Sequence, residues 1–338
     1  MARNVDIEAL TEEWEPRLRK AFIDAVRAIA DKASIAAIEA RLKIGDVDGA
    51  VRALGLDVND FAGLRNAIAD AYGAGGSAVA ETIPAARDGG GALIRILFDI
   101  RSPRAEQWLQ AKSSGLITEI VDDQRAMVRA NLTASLQEGV NPRTAALDLV
   151  GKIDPKTKSR VGGVVGLTSQ QESWQRRYAA ELASTDPGEL QKALGRGLRD
   201  KRFDGAVRKA AASGEPIPAA TQAKMLAAYR ARSLKYRGDV IARTETIRAL
   251  GAAKVEAYDQ AIERGQVQED RLKKFWVTAG DERVRDTHRL IPGLNKQGRR
   301  WREPFATPTG PSMHAPHDRD IQCRCREEVR ISYSLTLR

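Results

Sequence analysis

Apolar residues recur at spacings of three and four along most of this chain, and strict alternation appears only near its end. From Thr11 to about Lys43 the spacing predicts one amphipathic helix, with Thr11 as its cap and Glu12 and Glu13 in the electropositive first turn. A helical pair follows over 46–72. The glycine clusters GAGG (73–76) and DGGG (88–91) then interrupt the period and read as loops or hinges, since neither fits a phosphate-cradling motif. The apolar run ALIRILFDI (92–100) is too short and too charged to span a membrane and reads as buried core. Helices are predicted over 103–139 and 142–152, where Asn141 can cap and Pro142 can take the first turn. The glycine-rich stretch 152–168 has no period and is expected to be a mobile connector. Helix resumes over 169–182, and from Pro218 a long helix runs to about Gly265, with a break expected near Gly238.

Past Gly265 the period becomes two. KFWVTA (274–279) predicts one strand and CRCREEVRI (323–331) another, with Cys323, Cys325, Val329 and Ile331 on one face and Glu327 breaking the pattern. The expected class is therefore α+β, a predominantly helical N-terminal body with a small C-terminal α+β domain. Three regions are expected: a helical region over 1–152, a basic helical region over 153–235 and the C-terminal domain over 236–338.

Charge is unevenly placed. Residues 1–100 hold 12 Lys+Arg against 16 Asp+Glu, a net of −4, so the remaining residues carry +14 of the total +10. Within 189–213, Lys192, Arg196, Arg199, Lys201, Arg202, Arg208 and Lys209 form the densest basic stretch. They are candidate contacts for double-stranded DNA or an acidic protein surface, against the plainer reading of a solvated helix face. The two cysteines sit in a single CxC behind no apolar signal stretch, which predicts a reducing compartment, the cytoplasm.

All three histidines and both cysteines fall between residues 288 and 325. His288, His314, His317, Cys323 and Cys325 are thus candidate metal ligands, and zinc is the candidate cofactor. On a regular strand the two cysteines would stand about 6.6 Å apart at Cα, whereas sulfurs on one zinc approach to about 3.8 Å. Either the CxC bends or one cysteine alone ligates; otherwise both are small core residues. No catalytic spacing is legible, so no enzymatic activity is expected. The alternative reading is a metal-dependent nuclease or toxin-like enzyme using His288, His317 and Cys323.

RTETIRA (243–249), KKFWVTAGDERVRDTHRLIPG (273–293), Trp301 and PHDRDIQCRC (316–325) together resemble the phage Mu F-like head morphogenesis proteins, minor capsid proteins of tailed phages. The family motif falls on Arg243, Thr244, Glu245, Trp276, Asp281, Glu282, Arg283, His288, Gly293, Cys323, Arg324 and Cys325. Val284 stands where a Thr is usual, and Gly251 where an Asn is frequent. The resemblance implies a virion component at the portal vertex, in the phage head, that meets portal, scaffold or major capsid protein during procapsid assembly and acts on packaged DNA or its ejection.

Overall fold

The computed structural model describes residues 5–87, 90–95, 97–156, 158, 160–316 and 320–332. The α+β class holds: helix dominates, and the one sheet with more than two strands among the described residues lies near the C-terminus. Helix α1 (Ile7–Lys32) starts earlier than expected because Asp6, not Thr11, caps it, its Oδ1 accepting from Glu8 N and Ala9 N at 3.1 Å each. Thr11 lies inside the helix and donates its hydroxyl to Ile7 O. The single helix expected to run to Lys43 is divided at Ser34, whose hydroxyl caps α2 (Ile35–Lys43); α3 (Val47–Ala53) follows.

Helix α4 (Ala62–Thr82) runs straight through GAGG, which is therefore not a hinge. A Cβ added at Gly76 would stand 2.3 Å from the Phe98 ring, and one at Gly75 2.8 Å from Leu250, so these glycines admit close neighbours to a helix backbone. In DGGG, Asp88 and Gly89 lie outside the described residues. Gly90 and Gly91 fall between the strands of a hairpin, β1 (Ala86–Arg87) and β2 (Leu93–Ile94). ALIRILFDI is not buried core as a whole either, since Leu93 and Leu97 are 65% and 82% exposed.

Helices α5 (Pro103–Gln137) and α6 (Pro142–Val150) form as expected, the second capped by the Asn141 side chain accepting from Arg143 N. The segment 152–168, in its described residues, is not a loose connector. Strands β3 (Lys152–Ile153) and β4 (Arg160–Val161) pair, and Val164, Val165 and Leu167 are buried. Its ties are non-local: Gln124 donates to Leu167 O at 2.6 Å and accepts from Gly166 N at 2.7 Å, and Arg237 donates to Gly166 O at 2.9 Å. Gly166 has φ +92°, and a Cβ there would lie 2.5 Å from Val26. Helix α7 (Ser169–Ala183), opened by a Thr168/Gln171 capping box, leads to α8 (Pro187–Gly195), α9 (Asp204–Ser213) and α10 (Ala219–Glu263). No break occurs at Gly238, where the i to i+4 period of α10 continues. The chain ends in β5 (Leu272–Val277), α11 (Asp286–Leu294), β6 (Arg299–Arg300) and β7 (Arg326–Ile331).

Two compact units result. One comprises residues 20–64 and 115–239, the other 1–19, 65–114 and 240–338. In the first, Tyr178, Leu182, Leu190, Val207, Met225 and Tyr229 form a core, with the two tyrosine rings 4.6 Å apart. In the second, Val79, Ile83, Tyr258, Leu272, Trp301 and Val329 pack together, and the buried Trp301 indole donates to Asp259 Oδ1 at 2.7 Å.

The terminal sheet is antiparallel with order β6-β5-β7, so β5 is central. Trp276 stands opposite Glu327 and Lys274 opposite Val329. The face of β5 turned inward carries Leu272, Lys274 and Trp276, and Lys274 is fully buried with its ammonium on Met313 O. The strand expected from Cys323 begins only at Arg326. Glu327, the apparent exception, is 4% exposed and belongs to the inward face with Val329. Lys254, on α10, donates to the Glu327 backbone carbonyl. Burial pushes the ammonium pKa of both Lys254 and Lys274 down, which the Glu327 carboxylate opposes.

Candidate functional site

Three of the five nitrogen and sulfur side chains singled out in the sequence meet. His288 lies in the first turn of α11, a helix that turns His288 and Ile291 inward at a spacing of three. Its Nδ1 is 3.5 Å from Cys323 Sγ and 3.5 Å from Cys325 Sγ, and all three side chains are buried. Because the CxC precedes β7, it is free to bend. Gln322 adopts φ +55°, and Cys325 N donates to Cys323 Sγ at 3.4 Å, which folds both sulfurs to one side. The extended-strand geometry that would hold the sulfurs apart is thus absent.

The surroundings fix this arrangement. His288 Nε2 lies 3.5 Å from Asp320 Oδ2; with the ring proton on Nε2, Nδ1 presents its lone pair to the sulfurs. Trp276 packs edge-on against the His288 ring at 5.9 Å. Thr244 Oγ1, on α10, accepts from Gln322 N at 3.0 Å and anchors the bend that precedes Cys323. Arg285 donates to Ile321 O at 2.6 Å, and Arg324 pairs with Asp281 at 2.6 Å. That Arg324 contact holds the Asp281 carboxyl below its ordinary range.

The two thiols behave as a pair. Sulfur and backbone hydrogen bonding from Cys325 draw Cys323 down to about 6, while proximity to Cys323 pushes Cys325 up, so one proton leaves easily and the second is retained. The trio borders a cavity of about 300 Å³, also lined by Arg243, Arg283, Arg285 and Arg324. Arg243 is held by Glu15 through contacts of 3.0 and 3.2 Å.

The remaining candidates lie elsewhere. His314 approaches Glu327 Oε2 at 3.6 Å and is not part of the trio, and His317 lies outside the described residues. Both oxygens of the buried Glu327 carboxylate lack a hydrogen-bond partner among the described residues. Glu245 pairs with Arg248, and Glu282 accepts through its backbone carbonyl from Arg289. Trp301 belongs to the Tyr258 cluster, and a Cβ added at Gly293 would meet open space, so nothing in the structure requires glycine there. In the basic stretch, Arg196 and Arg199 are only 17% exposed and pair with Glu181 and Asp204. Lys192, Lys201, Arg202, Arg208 and Lys209 are exposed. The sequence offers Asp320 as a carboxylate that could join the histidines at a metal, and the structure sets it on His288 Nε2; sequence reasoning missed Arg285 and the buried Lys254 and Lys274. Only Lys274 left a trace, as a charge on the Trp276 face of an otherwise regular strand.

No helix among the described residues is long and apolar enough to cross a membrane. No curated protein matches the chain, and no solved structure matches it. The residues that surround the His288 trio, from Arg243 to Arg324, fall within one continuous stretch of family likeness. Residues 188–328 match the family model described as Phage Mu protein F like protein, and over that stretch the chain is similar to this family.

Proposed function

We propose that this chain is a minor head protein that acts in phage head morphogenesis, taken into the virion at the portal vertex during assembly in the host cytoplasm. The match of residues 188–328 carries this reading. Its partner in that reading is the portal protein, with scaffold and major capsid protein as the other components of the assembling head. Co-sedimentation with procapsids assembled with and without portal protein tests it. Incorporation that depends on portal is expected, and equal incorporation in both would sink the portal assignment.

The same reading puts packaged DNA beside the basic stretch. Support comes from the +14 net charge of residues 101–338 and from the exposure of Lys192, Lys201, Arg202, Arg208 and Lys209. Arg196 and Arg199 drop out of the contact set because they are largely buried on Glu181 and Asp204, whereas Lys192, Arg202 and Arg208, though paired with Glu189, Asp200 and Asp204, stay exposed and must exchange those carboxylates for phosphate. If all five exposed cations meet phosphates, affinity for duplex DNA falls about 500-fold between 50 and 200 mM salt, from a slope of roughly −0.9 per contact. A flat salt response would remove DNA from the proposal.

A further inference from the structure

We propose that His288 Nδ1, Cys323 Sγ and Cys325 Sγ form a binding site for zinc, with the fourth position filled by an oxygen ligand from the arginine-lined cavity. Geometry is the main support. Zinc–sulfur bonds of about 2.3 Å and a zinc–nitrogen bond of about 2.05 Å at a tetrahedral angle put nitrogen and sulfur about 3.6 Å apart. Both nitrogen–sulfur separations here are 3.5 Å, and all three donor atoms lie within 4.8 Å of one another. Simple core packing of two thiols against an imidazole does not require both sulfurs on the same ring nitrogen.

The surrounding groups fit a metal-bound state. Asp320 stands at the ring nitrogen opposite the sulfurs, the carboxylate–histidine arrangement that fixes a ligand's tautomer and raises its basicity. The Trp276 indole N–H is buried without a hydrogen-bond partner among the described residues, and the Trp276 ring packs edge-on against the His288 ring. The cavity arginines could repel a cation, but Arg243 and Arg324 are paired with Glu15 and Asp281, and two thiolates neutralise the ion itself. On binding, the thiol protons leave to solvent and the sulfurs and Nδ1 each donate an electron pair; nothing is oxidised or reduced. Since all three ligands line the cavity, the remaining coordination position opens onto it.

The test uses the full-length chain purified in reducing buffer. Elemental analysis should return one zinc per chain in the wild type and in His314→Ala, and Cys323→Ser or Cys325→Ser should lower zinc affinity at least tenfold. Cobalt exchanged into the wild type should show sulfur-to-metal charge-transfer absorption. A wild-type chain that holds no zinc and gives no such band overturns the proposal, as does zinc retained by the doubly substituted Cys323→Ser, Cys325→Ser chain. Should the serine variants fail to fold by circular dichroism, the cobalt spectrum of the wild type decides alone.

Discussion

Arg237 offers a direct test of how the 152–168 segment is held. Its side chain is 8% exposed; one guanidinium nitrogen donates to Asp123 Oδ2 at 3.0 Å and another to Gly166 O at 2.9 Å, over the Phe22 ring. Arg237→Met keeps the stem's packing and removes both donors. Leaving the buried Gly166 carbonyl unpaired costs about 1–3 kcal/mol. Breaking a fully buried pair costs about 3–5 kcal/mol, but Asp123 is 33% exposed and water recovers most of its charge, so its share is about 1 kcal/mol. The sum is about 3 kcal/mol. Asp123→Asn keeps an acceptor and the Gly166 contact, and should cost about 1–2 kcal/mol because the buried cation loses its partner charge. Hydrogen-exchange mass spectrometry of peptides covering 160–168 reads this locally, and about 3 kcal/mol corresponds to exchange roughly 150-fold faster. An Arg237→Met effect below tenfold, or an Asp123→Asn effect as large, would refute the claim that the carbonyl contact dominates.

Three further outcomes follow from the same structure. Trp301→Phe keeps most of the burial but loses the indole donor to Asp259, which Arg302 still holds at 3.0 Å; thermal unfolding should show a loss of about 1–2 kcal/mol, and no loss would discount that hydrogen bond. Thr244→Val removes the acceptor of Gln322 N and should accelerate thiol labelling of Cys323 while leaving far-ultraviolet dichroism intact; unchanged labelling would mean the bend holds without it. Lys254 has its pKa lowered by burial in the folded chain, so above that value the unfolded chain binds more protons and stability rises with pH toward the unfolded value of about 10.4. Urea midpoints measured between pH 8 and 10 should therefore rise more steeply with pH in the wild type than in Lys254→Met; equal slopes would contradict the sign.

Much of the helical framework was legible because it is written in local terms. Asn141-Pro142 and the period of 169–182 place their helices within a few residues. What failed to show were features decided by distant residues. GAGG looks like a break from the sequence alone, because Phe98 and Leu250, which need the missing Cβ atoms, lie far along the chain. The 152–168 segment has no period because its order comes from Gln124 and Arg237. At the candidate site the residue types were legible and the geometry was not. Alternation extends β7 back to Cys323, whereas the left-handed Gln322 and its tie to Thr244 bend the CxC before the strand begins.

The lysine on the Glu327 carbonyl has a consequence for self-association. Ser332 N donates to Arg271 O, so by antiparallel alternation Glu327, opposite Trp276, turns its backbone groups away from β5, toward the flank of the sheet. An intruding strand from another molecule would need that carbonyl, and the Lys254 ammonium already holds it. A cation set on the border of a sheet is one of the ways proteins keep flanking strands from templating aggregates. Lys254 thus acts as a gatekeeper on the free side of β7, against unplanned strand-to-strand association.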